Sequence, residues 1–484
     1  MTANLKQRTA NALIWSLIQS WSVKVFTLLL FFVLARYLTP AEMGLAQTVT
    51  VLLALVAVFS EQGFHSALVQ RQGLRSVDVN LPFLLVTAVA CSASVVMYVF
   101  ADHIAALLKE PTSSNLLRVA AFIPPITAAN GIAIAMLRRE LEFKSIAKAT
   151  FSANLTAGLL ALFLVTQGWG PMALVIQAVS SGLILSIQIW ARPGWKPTFR
   201  IDKTHFKSLT KFSSASFASQ LIDFFSSRLV DIIILSRLGV AALGVYAVGA
   251  KLYLTLLELL ATALMSVAMS AMSKLLTDRE RLKKTYLKFV FLASCTTMPL
   301  FVAISALAPE ICEILFGGKW KESASIIEVL CLIGAVQVVQ FFNGAALDAT
   351  GKPQHSLAIN LFKLIAGFLM LALYPTNSTA ELIGAFAISQ LCVTPVSFTL
   401  AAKATNSSAR EVFAQVLPGT ISSLLALILV AALRKTTELE ALPSWQAAAV
   451  AGTTFSITYA LTLYSMSRKK LLAEINGIIS ALKK

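Results

Sequence analysis

Among the charged residues inside runs otherwise apolar enough to cross a membrane are the cations Lys24, Arg228, Lys251 and Lys363, and the acids Asp223, Asp231, Glu258 and Glu328. A charge at the centre of a membrane helix costs roughly 2.5–3.5 kcal/mol on insertion scales, so such groups persist where they pair with one another or meet a charged ligand. Helical spacing sorts them. Asp231 follows Arg228 by three residues, close enough to pair. Lys251 and Glu258 are seven apart and share a face, and Asp223 and Asp231, eight apart, face roughly one way. Lys24 and Lys363 have no acid at such a spacing on their own runs. Glu328 lies a few residues inside its run and reads as an interfacial carboxylate. Gln337, Gln340 and Asn343 recur every third residue. That polar stripe suits either a lumen or hydrogen bonds between helices.

Cations spread through the depth of an apolar interior point to an anionic substrate that moves. The candidate contacts are Lys24, Arg228, Lys251 and Lys363, with Gln337, Gln340, Asn343 and Asn360 beside them. Asp223, Asp231 and Glu258 are the candidates for coupling to protons or sodium. The alternative for each charge is internal ion pairing that holds helices together. The sequence offers no catalytic constellation. It has no G-x-x-x-x-G-K-[ST] loop for ATP. Its histidines (His65, His103, His205, His355) have no metal-ligand spacing, and its five cysteines form no CxxC. No metal or cofactor is expected. A channel calls for a ring of charges or a carbonyl filter, and neither is visible. The reading is a secondary carrier, not an enzyme.

The elements that must position these groups are membrane helices. Hydrophobic residues make up 57% of the 484 and charged residues 13%, about half the charge of a soluble domain. The mean hydropathy is +0.77. A soluble protein of this composition could not cover its surface with polar groups, whereas lipid removes that need. A spanning helix needs about 20 mostly apolar residues. Fourteen candidates fall at 12–34, 45–66, 81–101, 116–137, 149–167, 171–190, 213–235, 243–268, 286–308, 323–347, 356–374, 380–401, 412–433 and 446–466. The weakest is the pair 149–167 and 171–190, for which a re-entrant hairpin is the alternative. The first run lacks an A-x-A-like cleavage site and is too long for a signal-peptide core, so it reads as the first membrane helix.

Charge tests the topology. With the N-terminus inside, 28 Lys and Arg fall on inner loops and tails and 8 at outer ends. One missed helix would invert everything after it. The net charge of +17 therefore reflects cytoplasmic loops, and no nucleic-acid partner is expected. The basic linker 191–211 can lie on anionic headgroups. The tail 467–484 carries apolar residues on one helical face, which suits an interfacial helix.

An internal repeat divides the chain. Ala35–Leu45 (Ala-Arg-Tyr-Leu-Thr-Pro-Ala-Glu-Met-Gly-Leu) echoes Ser236–Tyr246 (Ser-Arg-Leu-Gly-Val-Ala-Ala-Leu-Gly-Val-Tyr) at an offset of about 200 residues, and Asn154 echoes Asn360. Six helices per repeat is an even number, so the halves enter the membrane in the same sense with a site between them. The expected organisation is an N-lobe (1–190), the linker (191–211), a C-lobe (212–402), two further helices (403–466) and the tail (467–484).

Three segments carry a resemblance. They are Leu34–Gly44 followed by Gly63-Phe64-His65-Ser66-Ala67-Leu68-Val69-Gln70-Arg71, then Leu137-Arg138-Arg139-Glu140-Leu141-Glu142-Phe143-Lys144, and Leu315-Phe316-Gly317-Gly318-Lys319-Trp320 leading to Asp348-Ala349-Thr350-Gly351-Lys352-Pro353. The chain resembles the Wzx-like polysaccharide-transporter branch of the multidrug/oligosaccharidyl-lipid/polysaccharide flippase superfamily, of the colanic-acid and exopolysaccharide type. The resemblance runs through the twelfth expected helix and lies mainly in loops. It implies an all-α integral membrane fold of two six-helix lobes around a cavity, working by alternating access. It also implies a cargo of undecaprenyl-pyrophosphate-linked oligosaccharide, taken across the bacterial inner membrane for exopolysaccharide, O-antigen or capsule synthesis. Both termini would be cytoplasmic, and a polysaccharide polymerase and export machinery are the protein partners it implies. The four interior cations match no family motif one by one. A multidrug or metabolite antiporter, a lipid II flippase and a membrane glycosyltransferase or ligase are the competing readings. An antiporter of cations would call for unpaired interior acids, and a ligase for large outer loops. The outer loops here are short.

Overall fold

The computed structural model describes residues 21–61, 64, 68, 75–192, 195–198, 206–374, 378–436 and 442–482. Among them the chain is helical, with no strand. Eleven helices are long and apolar enough to cross a membrane. That is short of fourteen for identifiable reasons. Part of the first expected span, 12–20, lies outside the described residues. The seventh and eighth expected spans follow one another across a single-residue break and count as one. The last expected span begins the Ser444–Leu482 helix, which is not among the eleven. Residues 193–194 and 199–205 of the expected 191–211 linker, and the side chains of the tail beyond Lys470, also lie outside the described residues.

Several boundaries follow from local chemistry. The second span was expected from 45, but the helix is Pro40–Glu61. Thr39 and Glu42 close a capping box there: the Thr39 amide donates to Glu42 Oε2 at 2.8 Å and the Glu42 amide to Thr39 Oγ1 at 3.3 Å. Proline is acceptable at the first helical position because its missing N–H has no partner there in any case. The expected loop 236–242 is absent. Phe206–Ser273 is one helical stretch, broken at Gly239, with φ 83° and ψ −175°. A single glycine thus replaces the loop. The pair for which a hairpin was the alternative forms two full helices, Phe143–Thr166 and Met172–Trp190, of 24 and 19 residues. At about 1.5 Å per residue both reach across a hydrocarbon core. The final helix Ser444–Leu482 breaks at Ser467.

The chain divides into two compact units between Ala247 and Val248. In the first, Pro40–Glu61, Asn80–Val99, Ile123–Arg139 and Met172–Trp190 pack side by side, and Phe143–Thr166 lies against the last of these. In the second, Lys321–Ala349 is the central helix, packed by Met298–Ala306 and Thr379–Ala404. Ala409–Thr436 lies against Arg279–Thr296 and Ser444–Leu482. Lipid tails are as apolar as leucine, so close packing and interhelical hydrogen bonds hold membrane helices together rather than the hydrophobic effect. Small residues mark the closest approaches. A Cβ on Gly44 would strike the carbonyl of Val240, and a Cβ on Gly244 would strike the carbonyl of Pro40. One glycine comes from each of the two segments that echo one another in the sequence, and each stands against the backbone of the other segment. In the second unit, Gly419 meets the carbonyl of Ser294, whose hydroxyl donates to the Gln415 carbonyl at 3.0 Å.

Candidate functional site

Among the described residues, each unit holds a half-buried intramembrane cation with a polar partner. In the first unit Arg228 Nη1 lies 3.7 Å from Asp231 Oδ2, at the i, i+3 spacing. Asp231 is buried, and Gln47 Nε2 donates to its Oδ1 at 2.8 Å from 184 residues away. Gln47 was missed in the sequence. The signal was present, because it is the only amide in Pro40–Glu61. Gly44, one turn earlier on the same helix, lets that helix come close enough for the contact. The carboxylate is thus held on one oxygen by an amide and on the other by a guanidinium, and this cluster is internally balanced. Lys24 is half-buried on the helix through residues 21–37, and Asp223 is exposed.

In the second unit the stripe on Lys321–Ala349 divides. Gln337 Oε1 accepts from the Tyr253 hydroxyl at 2.6 Å. Asn343 is fully buried. Its Oδ1 accepts from the Tyr286 hydroxyl at 2.8 Å, and its Nδ2 donates to Ser397 Oγ at 3.1 Å. Both amides thus bond between helices. Gln340 differs. Its Nε2 donates to Thr394 Oγ1 at 2.7 Å, and its Oε1 accepts from Lys363 Nζ at 2.8 Å. Lys363 is half-buried on Pro353–Leu373. Among the described residues no carboxylate lies within ion-pair distance of it, so a neutral amide orients the ammonium and leaves its charge uncompensated. Lys251 is half-buried, while Glu258 and Asn360 are exposed on their helices.

Other charges are structural. Arg434, counted at an outer helix end, donates from Nη2 to the Ala306 carbonyl at 2.7 Å and pairs with Glu310 at 2.5 Å. It ties Ala409–Thr436 to the end of Met298–Ala306. Burial pushes the Cys312 thiol up to about 12. It therefore stays protonated, and its Sγ donates to the Trp320 carbonyl at 2.9 Å. Among the described residues no group of three metal-ligating side chains comes together.

The comparisons with known proteins agree with a transporter scaffold. Over 331 residues the chain is 24% identical to the succinoglycan biosynthesis transport protein ExoT of Rhizobium meliloti, covering 68% of this chain and 67% of that one. It is 22% identical over 364 residues to the lipopolysaccharide biosynthesis protein WzxC of Escherichia coli, covering 74% of each. The lipid II flippase MurJ in an inward closed conformation superposes with a TM-score of 0.74 at 14% identity, covering 96% of this chain and 99% of that one. At that identity the likeness shows the fold, an all-helical membrane transporter fold. The model of the polysaccharide biosynthesis protein family matches residues 33–325. That is more than half of the sequence, and the chain belongs to this family, the polysaccharide-transporter branch that its loop motifs resemble.

Proposed function

We propose that this multi-pass membrane protein is a flippase for lipid-linked oligosaccharide. On this reading it takes an undecaprenyl-pyrophosphate-linked repeat unit from the cytoplasmic to the outer leaflet of the bacterial inner membrane, by alternating access and without a chemical step. Both termini face the cytoplasm, as the charge count favours, and the product passes to a polymerase and export machinery. The observation that carries the reading is Lys363: an oriented, half-buried cation with no carboxylate beside it, on a scaffold shared with transporters of polysaccharide synthesis. A pyrophosphate supplies the missing charge. Lys24 and Lys251 are the further cations along the path, with Gln340 setting the Lys363 ammonium, while Arg228, paired with Asp231, goes with packing. Asp223 and Glu258 are the coupling candidates. Asp231 is already engaged by Arg228 and Gln47 and is better assigned to packing.

The test is complementation in a strain that lacks the chromosomal copy. K363A, at normal membrane abundance, should abolish polymer export and leave lipid-linked units on the cytoplasmic face, while K363R retains a measurable part. Normal export by K363A at normal abundance overturns the assignment.

A further inference from the structure

A second site lies in the second unit, away from Lys363. Met298–Ala306, Lys321–Ala349, Thr379–Ala404 and Ala409–Thr436 border an open cleft of about 620 Å³, lined almost wholly by apolar atoms. Val336, Val339, Pro395, Phe398 and Phe413 form its walls, and Arg410 lines it at one end. Pro395 lies inside its helix and supplies no N–H to the carbonyl one turn back. The size is that of a built ligand pocket rather than a packing defect.

The rim is electropositive. Arg410 sits in the first turn of the 28-residue helix Ala409–Thr436, at the positive end of the helix dipole. Its acidic neighbour does not neutralise it. Glu411 Oε1 pairs with Lys283 at 2.8 Å, and Glu411 Oε2 accepts from the Ser408 amide at 2.8 Å. Among the described residues Arg410 is exposed and makes no ion pair. From Arg410 the lining runs along the same helix to Thr420, whose hydroxyl donates to Met298 Sδ at 3.6 Å at the far end. Ten residues of helix are about 15 Å, half of a hydrocarbon core of about 30 Å. The groove is one leaflet deep, with a cation at headgroup level.

We propose that this groove binds an anionic phospholipid of the bilayer, with an acyl chain in the apolar cleft and the phosphate on Arg410. A leaflet-deep cleft matches an acyl chain and is short for a polyprenyl chain. The groove also touches the transport machinery from behind. Thr394 lines it and accepts the hydrogen bond from Gln340, the residue that orients Lys363. A lipid seated against Thr394 and Pro395 therefore braces the wall that holds the cation.

The test uses the full-length protein in detergent micelles doped with photoactivatable phosphatidylglycerol carrying the reactive group in its acyl chain. Labelling is mapped to the segment from Thr394 to Thr420. Phosphatidylcholine and polyprenyl monophosphate with the same group serve as the other arms. The unaltered protein should label with phosphatidylglycerol in preference to phosphatidylcholine. R410Q should lower phosphatidylglycerol labelling about tenfold, the loss of one charge-assisted contact, and lower phosphatidylcholine labelling less, because choline already offsets its phosphate charge. V339W should block both by filling the cleft. R410Q changes an exposed side chain and does not depend on how V339W folds. Equal labelling of R410Q and the unaltered protein by phosphatidylglycerol overturns the proposal. So does polyprenyl monophosphate displacing phosphatidylglycerol at equal concentration, which would assign the cleft to the cargo. Neither readout involves transport, so the result is separate from the fate of the flippase reading.

Discussion

The two units treat a buried cation in opposite ways. In the first, Arg228 faces the buried Asp231, and Gln47 takes the second carboxylate oxygen. In the second, Lys363 is given only the neutral oxygen of Gln340, which Thr394 holds from its other end. Removing charge from water costs several kcal/mol per ion, and a counter-ion recovers that cost only with good geometry and satisfied hydrogen bonds. The first cluster supplies a counter-charge at 3.7 Å and an amide bond at 2.8 Å from within the protein and so reads as a device for fixing helices. The second is oriented but electrically incomplete, which suits a group that completes itself on a mobile anion. Residue type alone does not separate these roles; the partner does.

The largest way to break this contrast is to spoil the scaffold under the balanced cluster. Gly44→Leu drives a side chain into the Val240 carbonyl, and Gly244→Leu into that of Pro40. Backbone on the receiving side cannot give way as a side chain can. Each variant should lose folded, monodisperse protein in detergent, whereas Gly452→Ala, with its nearest neighbour a leucine methyl at 3.7 Å, should not. Next is Arg228→Ala, which leaves Asp231 buried without its counter-charge. Breaking a buried pair on one side costs about 3–5 kcal/mol. Denaturant unfolding in detergent should show a loss of that order, and the double variant R228A/D231N should recover part of it. If R228A unfolds like the unaltered protein but fails in transport, Arg228 belongs with Lys363, and the contrast collapses.

Much of this was legible in the sequence. The hydropathy runs, the i, i+3 pairing of Arg228 with Asp231 and the i, i+3 stripe of Gln337, Gln340 and Asn343 are local patterns, and a helix preserves local patterns. Gly44 and Gly244, one from each segment of the expected repeat, meet in space. What stayed hidden is pairing at a distance. Tyr253, Tyr286 and Thr394 stand 84, 57 and 54 residues from their amide partners. The stripe could therefore be seen but not divided into members that bond between helices and the one that orients Lys363. Gly239 was hidden for another reason. A seven-residue stretch with charge and glycine reads as a loop, but one left-handed residue turned out to be enough. Arg410 was counted as a loop cation because a charge tally has no access to cavities.

The contrast can also be sharpened by converting one region into the other. Gln340→Glu puts a carboxylate at the oxygen that now accepts from Lys363 Nζ at 2.8 Å. That makes the second cluster resemble the first. The pair satisfies itself, so unfolding in detergent should shift by no more than about 1 kcal/mol. Transport, by contrast, should fall about tenfold, equivalent to about 1.4 kcal/mol of lost stabilisation, because the ammonium is no longer open to an anion. Gln340→Asn retains a neutral amide and should separate lost reach from added charge by failing less. The smallest effect belongs to the stripe's packing members. Tyr286→Phe deletes one hydroxyl donor to Asn343 Oδ1, and interhelical hydrogen bonds in membranes average about 0.6 kcal/mol. Its unfolding should shift by about that much with export unchanged. Loss of export in Tyr286→Phe at unchanged stability would move Asn343 out of packing and back onto the transport path.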